Sequence, residues 1–542
     1  MKKCTLLGLW LGLGCGLSAA SQTLVKDIVP GLSGSSPGAF APVAGGLLFV
    51  AGNNVDPYGL IWKTDGTTAG TVQVSNAAVV SPFVRMGAWL YFTGTTAANG
   101  QELWKTDGTA AGTALVKDIW PGPSGSGLSS LVVLNNRLYF QANDNVAGIE
   151  LWTSDGTAAG TRLVKDVRPG PYNSMSGSSD NPLVVAGNSL YFRAWDGLTG
   201  DELWKSDGTA AGTVLVKDLV PGVNGCYPIE LTAHNGKVYF GADDQVLGIE
   251  LYVSDGTVAG TRLVRDINPG PYNSNPSDMQ GMGPNMYFKA RTPASGRELW
   301  KSDGTAAGTV LVKDILPGTG DGAPAFLNSM QYITAFNGYV YFGGYDGGGF
   351  TRLYRSNGTA AGTTVFNPAT ASLLTPDYVT VANNTLYFCA YEPTRNPAVG
   401  SEPWKSDGTA AGTVFMGDIS PGSNSSDAGG FTYYNGMVIF AATDYNNGRE
   451  LWRSVATPTA TKAAAGTPAL ALWPNPAQGR ATVQLPAGLE ARELTLTDAL
   501  GRVLRRYPVP AQARQATLDL GGLPAGLYLL RGGAAQGRLV VE

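Results

Sequence analysis

One phrase of about 48 residues recurs between residues 60 and 452, and it decides what kind of fold the chain can form. Its best-preserved part reads GQELWKTDGTAAGTALVKDIWPG at residues 100–122 and GIELWTSDGTAAGTRLVKDVRPG at residues 148–170. Its central aromatic residue occurs at Trp62, Trp104, Trp152, Trp204, Tyr252, Trp300, Tyr354, Trp404 and Trp452. The steps between them are 42, 48, 52, 48, 48, 54, 50 and 48 residues. Such a period is typical of β-propellers, whose blades take about 40–50 residues.

Each copy of the phrase contains four short strand signals separated by turn residues. In the third copy the strands cover residues 131–134, 138–142, 150–153 and 162–167, and Asn-Asn and Asp-Gly-Thr mark turns between them. The second strand is continuously apolar, as expected when both faces of a blade pack against neighbouring blades. We therefore predict an all-β fold in which about nine four-stranded blades form one large β-propeller over residues 21–454.

The two ends of the repeat region complement each other. The last copy stops at Arg453-Ser454 without a fourth strand, whereas residues 23–31 repeat that fourth strand with no strands before it. Pairing of the two would close the ring and cover sheet edges that otherwise promote aggregation. We predict that this N-terminal strand closes the propeller, with an open arc as the alternative.

The repeated Asp-Gly-Thr has a local structural explanation. Asp65 and Asp107, for example, can accept hydrogen bonds from the backbone that follows them, and the glycine adopts positive φ without a Cβ clash. A residue required once for a reaction would not recur in every blade. We interpret these aspartates, and the central aromatic residues, as structural.

The N-terminus shows the features of a secretory signal in their usual order. Lys2-Lys3 precedes an apolar run from residue 6 to residue 17 and then the small residues Ser18-Ala19-Ala20, so residues 1–20 are a predicted signal peptide. No later segment offers the roughly 20 unbroken apolar residues of a transmembrane helix. With a net charge of -4 and no block of Lys or Arg, nucleic acid is not an expected partner.

The repeat period ends after Ser454. Residues 455–467 are rich in Ala, Thr and Pro and are a predicted linker. Further strands are predicted at residues 481–485, 493–498, 503–507, 516–520, 526–531 and 538–541. Residues 468–542 are therefore predicted to form a small C-terminal β-sandwich.

Two groups of motifs resemble known families. The first group comprises Glu102-Leu103-Trp104 with Asp107-Gly108-Thr109, Glu150-Leu151-Trp152 with Asp155-Gly156-Thr157, and copies at 202, 298 and 450, with departures at Ile61, Tyr252, Tyr354 and Pro403. It resembles the ELWxxDGT repeat family, which implies an exported repeat protein without an assigned reaction.

The second group lies near the C-terminus. It comprises Trp473-Pro474-Asn475-Pro476, TDALGR at residues 497–502, Leu518-Asp519-Leu520, and LPAGLY at residues 523–528. These motifs resemble the type A sorting domain of the type IX secretion system. The resemblance implies that residues 468–542 engage the secretion machinery, and that the protein crosses the periplasm to be secreted or held at the outer cell surface.

The two faces of the predicted ring differ in their loops. In a meander the first and third connections share one face, and the second and blade-to-blade connections share the other. The first face carries near-uniform turns, whereas the second carries varied aromatic and acidic groups that suit glycans or extended peptides. The candidate ligand-binding residues are Tyr172, Trp195, Asp196, Asp243, Asp244, Tyr272, Tyr345 and Asp346. Polar turns with scattered aromatic residues are the alternative interpretation.

Patterns that indicate catalysis or cofactors are scarce. The single histidine, His234, lies in a hairpin phrase, and no Ser/His/Asp signature, phosphate-binding loop or His/Cys metal spacing is present. We expect no catalytic residue and no cofactor. Asp243, Asp244 and the aspartate of the Lys-Asp-Ile phrase offer oxygen ligands for Ca²⁺, but their spacing matches no EF-hand. Calcium therefore stays an alternative.

The repeat and the sorting motifs together favour a non-enzymatic binding or adhesion protein, with a glycan or a surface protein as its ligand. One alternative is a propeller enzyme, a lyase or hydrolase of extracellular polysaccharide, in which carboxylates from several loops meet near the axis. Another is a structural component of the envelope or biofilm matrix.

Overall fold

The computed structural model describes most of the chain after the predicted signal peptide. The described residues are 22–52, 58–177, 182–324, 333–367, 372–395, 399–455, 470–474, 476–485, 493–498, 503–510, 513–524, 526–532 and 535–541. The predicted signal peptide, and the predicted linker from residue 456 onward, lie outside them. The chain divides into two compact units, which we call the repeat domain (Met1–Val455) and the tail domain (Ala456–Glu542).

The described residues form β-strands and no helix, so the predicted all-β class is confirmed. It follows that no helix in this part of the chain could span a membrane.

The repeat domain contains nine groups of four antiparallel strands among the described residues, which we call modules 1–9. Modules 1–3 comprise β2 (Gly38–Val43), β3 (Gly46–Ala51), β4 (Gly59–Thr64) and β5 (Val72–Val79); β6 (Val84–Met86), β7 (Trp89–Thr96), β8 (Gly100–Thr106) and β9 (Ala114–Lys117); and β10 (Ser129–Leu134), β11 (Arg137–Asn143), β12 (Ile149–Ser154) and β13 (Arg162–Lys165). Modules 4–6 comprise β14 (Val184–Ala186), β15 (Ser189–Ala194), β16 (Glu202–Ser206) and β17 (Val214–Lys217); β18 (Ile229–His234), β19 (Lys237–Asp243), β20 (Ile249–Ser254) and β21 (Arg262–Arg265); and β22 (Ser277–Met282), β23 (Asn285–Thr292), β24 (Gly296–Ser302) and β25 (Val310–Lys313). Modules 7–9 comprise β26 (Thr334–Phe336), β27 (Tyr339–Gly344), β28 (Arg352–Ser356) and β29 (Thr364–Val365); β30 (Leu374–Ala382), β31 (Thr385–Tyr391), β32 (Ser401–Ser406) and β33 (Val414–Phe415); and β34 (Gly429–Tyr434), β35 (Met437–Asp444) and β36 (Gly448–Val455) with β1 (Gln22–Lys26). This arrangement of many four-stranded antiparallel sheets is consistent with a propeller-like fold.

The central aromatic residue of the phrase lies in the third strand of every module. In module 3, Trp152 pairs with Phe140 of the second strand, and the same Phe–aromatic register recurs in the other eight modules. Cross-strand aromatic pairs of this kind stabilise a sheet and help to fix its register. The sequence period therefore corresponds to one structural register repeated in each module.

The N-terminal strand supplies the fourth strand of module 9, as predicted. Strand β1 pairs antiparallel with β36, with Gln22 opposite Ser454 and Leu24 opposite Trp452. The Lys26 ammonium then donates a 2.9 Å hydrogen bond to the carbonyl oxygen of Thr71 in module 1.

Modules 1 and 2 depart from the separate four-stranded sheets that the sequence predicts. Strand β5 runs on to Val79 and pairs with β7, so the two modules form one eight-stranded sheet. Module 1 has Leu60 where most copies have glutamate, and its fourth strand lacks the Lys-Asp-Ile and Pro-Gly residues that end this strand in module 2. Without that turn sequence, the strand continues and reaches the next module.

The apolar cores lie between consecutive modules. One core cluster joins Leu103 and Val116 of module 2 to Phe140 and Trp152 of module 3. A corresponding cluster joins β1 and module 9 to module 1 through residues such as Phe49. Each module therefore buries its faces against its neighbours. This burial of apolar surface is the largest favourable contribution to the stability of such an array.

The tail domain consists of two antiparallel sheets that share one core cluster. Its strands are β37 (Ala471–Trp473), β38 (Arg480–Gln484), β39 (Glu493–Thr497), β40 (Val503–Pro508), β41 (Gln515–Asp519), β42 (Gly526–Gly532) and β43 (Ala535–Val541). The sheet orders are β37-β38-β41 and β40-β39-β42-β43. The short strand β37 was not predicted from the sequence.

Candidate functional site

The Asp-Gly-Thr turns use their carboxylates internally. In module 2, Asp107 accepts hydrogen bonds from the backbone and hydroxyl of Thr109, and the Thr106 hydroxyl accepts one from the Gly108 amide. The hydrogen bond from the Thr109 side chain is the main cause that lowers the pKa of Asp107. The same bonds to threonine recur at Asp65, Asp155, Asp207, Asp255, Asp303 and Asp407. On this face of the repeat domain, which we call the turn face, these carboxylates are therefore engaged within their own turns.

The glutamate of the phrase has a structural role that sequence reasoning missed. Glu150 is fully buried and accepts hydrogen bonds from the backbone amides of Val167, Arg168 and Ser174 and from the Ser174 hydroxyl. Burial nevertheless raises its pKa to about 7. The carboxylate fixes the loop that leads to the next module, and its signal in the sequence is a glutamate followed 24 residues later by serine, which occurs in four copies.

The opposite side, which we call the loop face, carries the second connections of the modules and the connections between modules. There one backbone position repeats its geometry: the Asn143 amide donates to the Ser126 carbonyl at 3.0 Å, and the Trp195 amide donates to the Ser174 carbonyl at 2.9 Å. Among the described residues, the positions with this bond, which we call rim positions, are Gly52, Asn143, Trp195, Asp243, Arg291, Tyr345 and Thr443. The same backbone hydrogen bond thus occurs at six positions with different side chains and at one glycine.

Two of the sequence-predicted residues meet around one guanidinium group. The Arg168 guanidinium carbon lies 3.8 Å from the ring centre of Trp195 and 4.9 Å from that of Tyr172. Tyr172 remains more than half exposed. The stack therefore presents an aromatic surface beside a cation on the loop face.

The predicted aspartates are engaged in local turns. Asp196 accepts hydrogen bonds from the amides of Leu198 and Thr199, and Asp243 accepts one from the Gln245 amide.

Two further predicted aspartates also bond to tyrosine hydroxyls. Asp244 accepts from the Val246 and Leu247 amides and, at 3.1 Å, from the Tyr252 hydroxyl. Asp346 accepts from the Gly348 amide and the Tyr354 hydroxyl, and forms an ion pair with Arg352 at 3.4 Å. All four predicted aspartates therefore accept hydrogen bonds from backbone amides of their own loops.

Exposed apolar and aromatic side chains concentrate on the loop face. Tyr272, another predicted residue, is 63% exposed there, and Tyr445 is 70% exposed. In the described part of the chain, the exposed large apolar and aromatic side chains on this face include Leu32, Tyr58, Val146, Tyr172, Leu198, Val223, Tyr227, Val246, Tyr272, Phe350 and Tyr445. Single exposed apolar side chains are common on protein surfaces, whereas a contiguous apolar patch would mark an interaction site.

Two pockets open on the loop face, and both border rim positions. One of about 420 Å³ lies where modules 1, 2 and 3 approach each other, and is lined by Tyr58, Trp120 and Asn143 among others. The other, of about 590 Å³, lies between modules 6 and 7 and includes Arg291 and the predicted residue Tyr345. The sequence prediction missed Asn143 and Arg291, although both follow the repeated Tyr-Phe-x-Ala motif directly.

A charged cluster lies where modules 5 and 6 meet. Glu230 and Asp278 occupy equivalent positions with φ of 56° and 54°, each at an irregularity of a first strand. The Asp278 carboxylate forms a 3.1 Å ion pair with the buried Lys289 ammonium. Burial is the main cause that raises the pKa of Glu230, and Asp278 adds to it by repulsion while Arg297 opposes it.

The remaining reactive groups are sparse in the described part of the chain. No group of three or more His, Cys, Asp or Glu side chains is placed there to hold a metal ion. His234 lies at the surface within 3.1 Å of the Gly283 carbonyl oxygen. Cys226 and Cys389 are buried free thiols, and the Cys226 thiol donates to Glu202 in the position where other copies have serine.

Comparison with known proteins assigns the C-terminal part. Residues 471–541 match the secretion system C-terminal sorting domain family. The match supports export by type IX secretion, and it indicates interaction with that machinery and a secreted or cell-surface location. No curated protein matches the chain.

Several solved structures resemble the chain at low identity. A puromycin hydrolase is 13% identical, over 69% of this chain and 61% of its own, with a TM-score of 0.37. Oligopeptidase B from Leishmania major is 10% identical, over 68% of this chain and 55% of its own, with a TM-score of 0.39. TolB from Acinetobacter baumannii is 10% identical, over 59% of this chain and 76% of its own, with a TM-score of 0.28. The chain thus spans about three fifths of the length of the puromycin hydrolase.

Proposed function

We propose that the protein is an exported, non-enzymatic binding protein whose loop face holds an extracellular ligand at the cell surface or in the medium. In this proposal the repeat domain is a closed propeller of nine blades with an ELWxxDGT repeat in each, and the tail domain is a β-sandwich that directs type IX secretion before its removal.

The proposed closure is supported by contacts that repeat between modules. The Lys117 ammonium of module 2 donates to the Thr161 carbonyl of module 3 at 2.8 Å, and Lys26 makes the same bond to Thr71 of module 1. The core cluster that joins modules 9 and 1 is also equivalent to the others. Modules 9 and 1 therefore meet as neighbouring modules do elsewhere, which favours a ring over an open arc.

The binding role rests on the rim positions. Their backbone hydrogen bond is constant, whereas their side chains range from glycine to tryptophan and from aspartate to arginine. The turn face, built on the same strands, carries Asp-Gly-Thr in seven modules and Asn-Gly-Thr in an eighth. A constant scaffold with one chemically varied face is the arrangement expected of a recognition surface.

A binding experiment with two double variants tests this role. The purified mature protein is applied to arrays of extracellular polysaccharides and of bacterial surface proteins. A rim variant carries Trp195→Ala and Tyr345→Ala, and a turn-face control carries Val258→Ala and Thr257→Ser. We expect the rim variant to lose binding by at least about tenfold, as for truncated aromatic anchors, while the control binds normally. Absence of binding by the wild type, or equal binding by both variants, would contradict the proposal.

The charged cluster between modules 5 and 6 favours a second candidate, an enzyme that acts on extracellular polysaccharide. Two carboxylates, one of them with a raised pKa, next to a lysine and an arginine are groups that a hydrolase or lyase could use as acid, base and charge-stabilising residues. Against this candidate, Asp278 is already paired with Lys289.

Product analysis distinguishes the enzyme from the binding protein. Polysaccharides that bind the protein are incubated with it, and new reducing or unsaturated ends are measured. The enzyme hypothesis expects turnover that Glu230→Gln abolishes and that Ser130→Ala, at the equivalent position of module 3, leaves intact. Binding without any new ends supports the binding protein.

A further inference from the structure

We propose that the pocket between modules 6 and 7 is a subsite for one neutral sugar unit of a glycan. This inference rests on the proposed binding function and names the ligand class for one part of the loop face. The pocket is an open depression of about 590 Å³ that lies between two rim positions, Arg291 and Tyr345. A volume of this size accommodates a sugar ring with its neighbouring linkages.

The polar wall of the pocket is preorganised. One terminal nitrogen of Arg291 donates to both oxygens of Asp321 at 2.7 Å, and Asp321 also accepts the Arg297 amide at 2.9 Å. This arrangement holds the guanidinium group in place and leaves its other nitrogens without a hydrogen-bond partner among the described residues. A fixed guanidinium beside a carboxylate presents donors and acceptors side by side, which matches the adjacent hydroxyl groups of a sugar.

The charges around the pocket balance, which is the argument for a neutral ligand. Arg291 and Asp321 are the charged side chains that line the pocket among the described residues, and they form a 2.7 Å ion pair with each other. An anionic group entering the pocket would have to compete with a carboxylate already bound to the guanidinium. Because a neutral hydroxyl adds no charge, it can bond to the pair without disrupting it.

The rest of the wall suits the two surfaces of a sugar ring. Tyr345 provides an aromatic side chain, and Leu316 and Pro324 provide apolar surface. Thr319 and Thr351 add hydroxyl groups next to them. Aromatic and apolar groups pack against the C–H faces of a sugar, while hydroxyl groups bond to its edges.

Calorimetric titration of the full mature protein tests the subsite. Laminarin and mannan oligosaccharides serve as neutral probes, and alginate and polygalacturonate oligosaccharides as acidic probes. Tyr345→Ala removes the aromatic wall and Thr351→Val removes a hydroxyl group with little change of shape. Tyr433→Ala is the control, since Tyr433 is a partly exposed aromatic residue at the end of β34 nearer the turn face.

We expect at least one neutral probe to bind, with about tenfold weaker affinity in Tyr345→Ala, a smaller loss in Thr351→Val and no change in Tyr433→Ala. Preference for the acidic probes, or neutral binding that both pocket variants retain, would overturn the subsite. Binding of surface proteins without any glycan would overturn the subsite and leave the binding function standing. Failure to bind any polysaccharide or protein would overturn both.

Discussion

The Ser35 hydroxyl donates a 2.6 Å hydrogen bond to the Glu450 carboxylate, which lies 415 residues later in the chain. In module 3 the corresponding bond, from Ser174 to Glu150, joins residues only 24 apart. The same local contact therefore connects the two ends of the repeat domain. Glu450 also accepts the Val29 amide, so it fixes the segment after β1 as the other glutamates fix their own loops.

Replacement of Ser35 tests how far this contact holds the N-terminal strand. Ser35→Ala leaves one oxygen of a buried carboxylate without its hydroxyl donor, and we expect a loss of about 1–3 kcal/mol in the free energy of unfolding. Ser174→Ala, the matched control, should lose a similar amount. Only Ser35→Ala should speed hydrogen exchange of the β1 amides. Strand β1 is joined to module 9 by noncovalent contacts alone, whereas the fourth strand of every other module follows its third strand along the chain. Equal exchange of β1 in both variants would contradict this prediction.

The buried glutamates predict a dependence of stability on pH. Burial raises the pKa of Glu298 from 4.5 to about 7, so between these values the folded protein binds more protons than the unfolded chain. The stabilisation that the folded protein gains from a protonated Glu298 is therefore fully present below about pH 4.5 and is lost as the pH rises through about 7. Glu298→Gln cannot titrate and should therefore reduce the fall in the urea midpoint between pH 5 and pH 8.

A residue in the same module provides the control for the pH experiment. The pKa of Asp303 is lowered, mainly by the hydrogen bond from the Thr305 side chain, so this carboxylate stays ionised throughout the range. Asp303→Asn should leave the difference between pH 5 and pH 8 unchanged. An unchanged difference in Glu298→Gln would exclude Glu298 as a source of the pH dependence.

The strands within each module could be predicted well because turn residues mark where the strands end. Asp-Gly-Thr fixes the third turn through hydrogen bonds within the turn itself, so its position could be read without knowledge of the neighbours. The extension of β5 to Val79 could not be predicted, because it depends on pairing with β7 of the next module. The three-residue strand β37 is too short for a sequence pattern to reveal.

The candidate site was predicted only in part. Trp195, Asp243 and Tyr345 were selected from the sequence for their chemistry, and all three occupy rim positions. Arg291 was missed because its contact with Asp321 links residues 30 apart through folded loops. The carboxylates of the predicted aspartates looked available in the sequence, but the loop conformations supply them with backbone donors.

The Cys226 thiol should tolerate exchange for the hydroxyl found in other modules. Its sulfur donates to Glu202 at 3.0 Å, as the Ser174 hydroxyl does to Glu150 at 2.6 Å. We expect Cys226→Ser to change the free energy of unfolding by less than about 1.5 kcal/mol, measured by urea unfolding. Ser174→Cys is the reciprocal variant and should behave similarly.

The same burial should protect both thiols from reagents. Burial raises the pKa of Cys226 and of Cys389 far above the usual range, which leaves little reactive thiolate. We expect no reaction of the native mature protein with an aromatic disulfide reagent, and reaction of both thiols in urea. Rapid labelling of the native protein would show that these positions open readily.

Asp244 is expected to contribute to stability. Asp244→Ala removes the acceptor of hydrogen bonds from two backbone amides and from the Tyr252 hydroxyl. We therefore expect the free energy of unfolding, measured by thermal denaturation, to fall by about 1–2 kcal/mol. Asp244→Asn keeps one acceptor oxygen and should lose less. Addition of Ca²⁺ should not raise the melting temperature of either the wild type or the variants. A rise in the wild type that Asp244→Ala abolishes would instead support the calcium alternative.

Removal of residues 471–541 should block export. The truncated protein is expected to accumulate in the periplasm, because the match to the sorting domain covers these residues. Cell fractionation with an antibody against the repeat domain measures its location. As a control, the same residues fused to an unrelated periplasmic protein should carry that protein out of the cell. Normal secretion of the truncated chain would contradict the assignment.

The position of β36 also determines how the repeat domain resists a mechanical pull. This strand lies between β35 and β1, and the chain leaves the repeat domain directly after it, at Val455. A load applied through residue 455 therefore enters an internal strand, and two hydrogen-bonded ladders must shear together before the strand can leave. Loss of the N-terminal strand would leave β36 at the edge of its sheet, held by one ladder instead of two against the same load.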